Sequence, residues 1–141
     1  MARTYHLTIA TQQGSCFDGE VASLRAPGAD GYFGVLPRHA PMIAQLGVGE
    51  LAVKLPDQSR NRFAISGGIC EISEKGVIVL ADACEEAEQI DLARAEAAAE
   101  RARKRLQEAR ANSEIHAARA EMALLRALNR LKIAGKFQSA P

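Results

Sequence analysis

Only a few residues in this chain have types and spacings suited to chemistry. His39 stands in "DGYFGVLPRHAP" (residues 30–41), behind an aromatic pair set between glycines and between two prolines. A neutral imidazole can move a proton near neutral pH, so this stretch reads either as a catalytic loop or as a stiff surface. Cys70 is a thiol that could be paired with His39 on paper, but nothing local in the sequence joins them. Glu85, Glu86, Glu88 and Asp91 form an acidic run that could hold a metal ion. At a junction between strand and helix, such a run reads instead as a solvated linker. The standard devices are missing: the sequence has no GxxxxGK[ST] phosphate loop, no GxGxxG after a strand, no GxSxG and no HExxH. Cys16, Cys70 and Cys84 include no CxxC pair and read as scattered reduced thiols.

The opening stretch is therefore read as a rigid presenting loop. Gly31 and Gly34 allow a tight path around Tyr32 and Phe33, and residues before Pro37 and Pro41 are held extended. The loop would present Phe33, Val35, Leu36 and Met42 to a partner, with His39 as a hydrogen-bonding latch.

The elements that must carry these residues fall into two halves. Residues 4–84 read as short strands. "TYHLTIA" and "GELAVKL" alternate apolar and polar residues, whereas "GVIVLA" is a continuous apolar run, as for a strand covered on both faces. Turn signals punctuate them at Gly14, Asp18-Gly19, Asp30-Gly31, Pro56-Asp57, Gly67-Gly68 and Lys75-Gly76. An antiparallel sandwich or barrel follows. From Asp91 the period becomes helical: Leu92, Ala95, Ala99, Ala102, Leu106 and Ala109 form one stripe, and Asp91 fits an N-cap. "ANSE" breaks the pattern, and a second helix is expected from Glu114 to about Ile133, ending at Gly135 with a frayed tail. That helix carries Ile115, Met122 and Leu125 on one stripe and Leu124, Leu128 and Leu131 on another, more than one alanine-lined partner can cover. The expected domains are a sandwich over 1–86, a linker over 87–90 and a helical hairpin over 91–141.

The chain has 141 residues and a formal charge of +1, so no global field favours nucleic acid. The N-terminus alternates at once and contains no long apolar run, which excludes direct membrane insertion by that segment. Besides a partner-binding subunit, the residues leave open a free-standing sandwich-and-hairpin adaptor that docks another coiled coil. They also leave open a small nucleotide enzyme using His39 or the acidic linker.

"GYFGVLPRHAPMIAQLGVGEL" (31–51), "FAISGGICEI" (63–72), "IDLARAEAAAERARKRL" and "AEMALLRALNRL" together resemble the epsilon subunit of F-type ATP synthases along nearly the whole chain. The resemblance implies a sandwich of about ten strands followed by a helix-turn-helix. It implies contacts with the gamma subunit, the rotor c-ring and the alpha and beta catalytic subunits, on the cytoplasmic face of the inner membrane. It further implies no catalytic residues and no required cofactor, coupling of proton-driven rotation to ATP synthesis, and restraint of ATP hydrolysis by a movable hairpin. Some family members bind ATP on the folded hairpin through I/L-D-x-x-R-A plus arginines of both helices. The matching positions here are Ile90, Asp91, Arg94, Ala95 and Arg101, with Arg126 and Arg130 on the second helix.

Overall fold

The computed structural model describes the backbone of residues 3–112 and 114–139, and the side chains of residues 3–109 and 117–135. The chain divides into two compact units, Met1–Ala87 and Glu88–Pro141.

The first unit contains strands β1 (Tyr5–Thr11), β2 (Gly14–Val21), β3 (Ser23–Gly28), β4 (Gly31–Val35), β5 (Met42–Lys54), β6 (Arg60–Ser73) and β7 (Gly76–Glu86). They form one hydrogen-bonded sheet in the order β2-β1-β7-β6-β5-β3-β4. Only β1 and β7 pair in parallel; the other pairs are antiparallel.

The three longest strands explain how one continuous sheet makes a sandwich. In β5, Met42, Ala44 and Leu46 are the covered positions at first, but beyond Gly47 the buried set is Leu51 and Val53. In β6 the buried set changes from Phe63 and Ile65 to Cys70 and Ile72. In β7 it changes from Val77, Val79 and Ala81 to the partly covered Cys84. Side chains alternate with period two, so each change of parity means that the strand passes a corner and offers its other face to the same core. The pairing ladder skips residues 47, 67 and 82 at these corners. Counting each bent strand as two arms adds three to the seven continuous strands, which accounts for the ten expected.

Gly67 and Gly68 lie at this corner with φ of 76° and 126°. A Cβ on Gly68 would run into the Leu80 carbonyl, and one on Gly67 into the Asp82 carboxylate. Only glycine fits a left-handed backbone at such close approach. The "GG" thus marks a bend inside β6, and Asp18-Gly19 lies within β2; neither is the turn that composition suggested. The core between the arms is apolar, with Leu7, Ile9, Leu24, Leu51, Phe63, Ile65 and Val79 among its buried residues. Phe17 closes one side edge-on to Phe63, with ring centroids 6.2 Å apart.

The second unit begins with a 3-10 turn at Ala87–Gln89, mostly C-terminal to the unit boundary, and continues as α1 (Leu92–Asn112) and α2 (Glu114–Ser139). Asp91 caps α1: its Oδ1 accepts from the Arg94 amide at 3.1 Å, and its carbonyl accepts from the Ala95 amide at 3.0 Å. The carboxylate also faces the positive end of the helix. The predicted α1 stripe is the buried one: Ala95, Ala99, Ala102 and Ala109 are covered.

The second helix departs from expectation in two ways. It passes through Gly135 and continues to Ser139. Its buried residues are Ala120, Ala127, Ile133 and Ala134, with Leu124 and Leu131 half-buried, while Met122, Leu125 and Leu128 are exposed. The helices pack against each other, and the seam is alanine on both arms. Alanine at a seam lets helix axes approach at the short end of the usual 8–10 Å range. Ser113 and the side chains of Ile115 and His116 lie outside the described residues.

Candidate functional site

His39 does not sit in a catalytic constellation among the described residues. Its Nδ1–H donates to the carbonyl of its own neighbour Ala40 at 2.7 Å, so the predicted latch closes locally. It lines an open cleft of about 630 Å³ together with Arg3, His6, Arg38 and Lys75. Cys70 is a fully buried core residue, and burial pushes its thiol up to about 11, the opposite of an activated nucleophile. The acidic run is split. Glu85 and Glu86 belong to β7, Glu88 to the 3-10 turn, and Asp91 is the α1 cap. Among the described residues no group of three or more His, Cys, Asp or Glu side chains is placed to hold a metal ion.

The aromatic pair is explained by strand alternation. Phe33 turns inward against the core, while Tyr32 turns outward, stacks under the Arg25 guanidinium at 4.0 Å and accepts from the Glu50 amide at 3.0 Å. Of the residues expected on a presented surface, Leu36 is 66% exposed, but Val35 is only 1% exposed. Val35 is therefore a core residue: it shares the inward face of β4 with Phe33, and its carbonyl accepts from the Tyr5 hydroxyl at 2.8 Å. Met42 is also half-buried against the core.

The apolar surface lies one step further along the chain. Ile43 is 74% exposed, Leu80 57%, Ile69 50% and Ile78 46%. Sheet register places them on one outward face: Ile69 is paired directly with Leu80, while Glu71 lies between Ile43 on β5 and Ile78 on β7. This corrects the expectation that "GVIVLA" is covered on both faces; within this chain only Val77, Val79 and Ala81 are. The continuous apolar run was the available signal, and a second cover supplied by another chain gives the same pattern. Towards β2 the face turns polar, where His6 Nε2 lies 2.5 Å from Asp18 Oδ1 and Thr8 donates to the same oxygen at 3.2 Å.

On the hairpin, Ile90 and Ala95 are buried, while Asp91, Arg94, Arg101 and Arg126 are exposed and Arg130 is half-exposed. At about 100° per residue, Arg94 and Arg101 lie on one flank of the α1 alanine seam. Arg126 and Arg130 lie in the same angular sense from the α2 seam, and for antiparallel helices the same sense means the same side. The opposite flank of α1 carries the Glu100–Arg103 ion pair at 3.7 Å. The four arginines thus share one side of the hairpin.

Comparison with known proteins agrees with both units. Residues 4–87 match the beta-sandwich domain of the ATP synthase delta/epsilon chain, and residues 88–135 match its long alpha-helix domain. The chain is 44% identical over 137 residues to the ATP synthase epsilon chain of Desulforamulus reducens, covering 95% of this chain and 99% of that one. It is 44% identical over 130 residues to the ATP synthase epsilon chain of Moorella thermoacetica, covering 92% and 96%. A chain in the Euglena gracilis mitochondrial ATP synthase structure containing OSCP, F1 and c-ring superposes with a TM-score of 0.77 at 26% identity, over 89% of this chain and 78% of that one. A free-standing adaptor is not favoured. A sandwich bent at its glycine corner, an outward apolar strip and an alanine-seamed hairpin accompany sequence identity that runs almost from end to end, and the chain belongs to the ATP synthase epsilon chain family.

Proposed function

We propose that this chain is a non-catalytic rotor subunit whose sandwich is held by the gamma subunit and the c-ring, and whose hairpin restrains ATP hydrolysis by the alpha and beta subunits. The observation that carries the docking role is the outward strip of Ile43, Ile69, Ile78 and Leu80, which the chain alone leaves in water. Four large exposed apolar side chains grouped around Glu71 on one sheet face fit a protein partner. Leu36 and the loop around His39 provide a second, smaller contact region. Among the described residues no helix is long and apolar enough to cross a membrane. In this reading its partners hold the chain at the cytoplasmic membrane face.

The regulatory role rests on the seam. Each alanine gives up about 2 kcal/mol of burial relative to leucine, at ~0.8 kcal/mol per methylene. A hairpin held this lightly can be redistributed between two arrangements by differential contacts. The exposed Met122, Leu125 and Leu128 supply an apolar face for the second arrangement. Removing residues after Glu88 from the reassembled complex is expected to raise ATP hydrolysis. Unchanged hydrolysis under every nucleotide condition would remove the inhibitory role.

ATP is the proposed regulatory ligand of the arginine flank. Guanidinium forks suit phosphate oxygens, and a ligand held by both helices favours the closed hairpin by ~2.7 kcal/mol at a hundredfold excess over its dissociation constant. Calorimetry of the isolated chain should show ATP binding that Arg126→Ala abolishes; binding that survives the substitution would remove this site assignment.

A further inference from the structure

The sandwich contains a pair of nucleophilic side chains that neither docking nor the hairpin uses. Cys16 on β2 and Cys84 on β7 stand with their Sγ atoms 2.9 Å apart, although they are 68 positions apart in sequence. β1 lies between their strands in the sheet. Two separate backbone irregularities aim them at each other. The β1–β2 ladder pairs Ile9 with Phe17 and then Ala10 with Ser15, so Cys16 is the extra residue of a bulge. Cys84 lies just beyond the corner at which β7 changes its inward face. Both side chains are partly exposed and pack against the rim of the core.

We propose that Cys16 and Cys84 are a reversible thiol–disulfide pair, with Cys16 attacking a low-molecular-weight disulfide and Cys84 resolving the product. In the first step the Cys16 thiolate bonds to one sulfur of the small disulfide, whose S–S bond breaks and releases a thiolate. In the second, Cys84 loses its proton and attacks Cys16 Sγ, which expels the second small thiolate. Both leaving thiolates take up a proton. Two protein thiols are oxidised and one small disulfide is reduced to two thiols.

The division of roles follows from the contact. The hydrogen bond from Cys84 lowers the Cys16 thiol below its ordinary range. The same bond, burial and the nearby Glu86 and Glu85 carboxylates raise Cys84. Closure needs the sulfurs to move from 2.9 Å to about 2.05 Å. The bond would tie β2 to the end of β7, three residues ahead of Ala87, where the chain leaves the sandwich unit.

The test uses the purified full-length chain and oxidised glutathione as the probe, followed by acid quenching, alkylation, intact mass and peptide mapping. The expected product has lost about 2 Da, carries one link between the peptides holding Cys16 and Cys84, and has Cys70 unmodified. Cys84→Ser should stop at a glutathione adduct on Cys16, and Cys16→Ser should slow the first step by about tenfold or more. The proposal is overturned if both thiols of the wild-type chain stay open to alkylation, if a glutathione adduct accumulates without the internal bond, or if Cys16→Ser reacts as fast as wild type. Should a variant fail to fold, the wild-type peptide map decides alone.

Discussion

The double substitution Ile43→Ala, Leu80→Ala separates docking from folding. Each change removes about three methylene equivalents, at ~0.8 kcal/mol each when fully transferred from water. Ile43 is 74% and Leu80 57% exposed in the chain alone. If a partner covers those fractions, the pair contributes about 3 kcal/mol to association, which is roughly a hundredfold in dissociation constant. The fractions already covered within the chain are smaller, so the isolated protein should lose only about 1.5 kcal/mol of stability. Two assays read the two quantities: titration of the labelled chain into a complex depleted of this subunit, and urea unfolding of the chain alone. A binding loss near a hundredfold with a folded variant supports the strip as the docking face. Undiminished affinity would refute it, as would a stability loss large enough to account for the weaker binding.

Three further outcomes test the fold around the site. Gly68→Ala places a Cβ against the Leu80 carbonyl at a left-handed backbone position, so it should cost about 3 kcal/mol or more in urea unfolding; a loss below about 1 kcal/mol would contradict the corner described here. Gln58 holds φ of 77° in the turn between β5 and β6, and Gln58→Gly should stabilise by up to about 1 kcal/mol, read as a rise in the urea midpoint. Asp57 accepts from the Ser59 hydroxyl and amide, which holds its carboxyl below the ordinary Asp range. A depressed folded pKa stabilises above the unfolded value and loses that contribution as pH falls through the folded one. The Asp57 carboxyl carbon should therefore titrate below about pH 3.9 by NMR, and Ser59→Ala should move its midpoint upward.

Much of the helical unit was legible in the sequence because helix contacts are local. The spacing of Ala95, Ala99, Ala102 and Ala109 defines one face whatever lies beyond it, and Asp91 caps the helix with an amide three residues away. The face of α2 that meets the first arm was not legible. Both predicted stripes are more apolar than Ala120, Ala127 and Ala134, so hydrophobicity alone did not point to the alanines that are buried alongside Leu124 and Leu131. A similar limit applies in the sheet. Alternation in β5, β6 and β7 identifies strands, but parity reverses at Gly47, Gly67 and Asp82, and a reversal reads locally as loose alternation. Val35 looked presented because its stretch read as a loop, whereas it is the last residue of β4 and faces inward with Phe33.

By itself the sequence determined the two-part plan, the cap and seam of α1, and, through its motifs as a set, the epsilon chain family. Those features depend on residues close together in the chain or on patterns that need no partner to be read. Tertiary structure alone decided which apolar residues face water and that Cys16 meets Cys84. Each of those depends on long-range pairing, where one skipped residue turns a side chain to the opposite face and no local pattern records the partner.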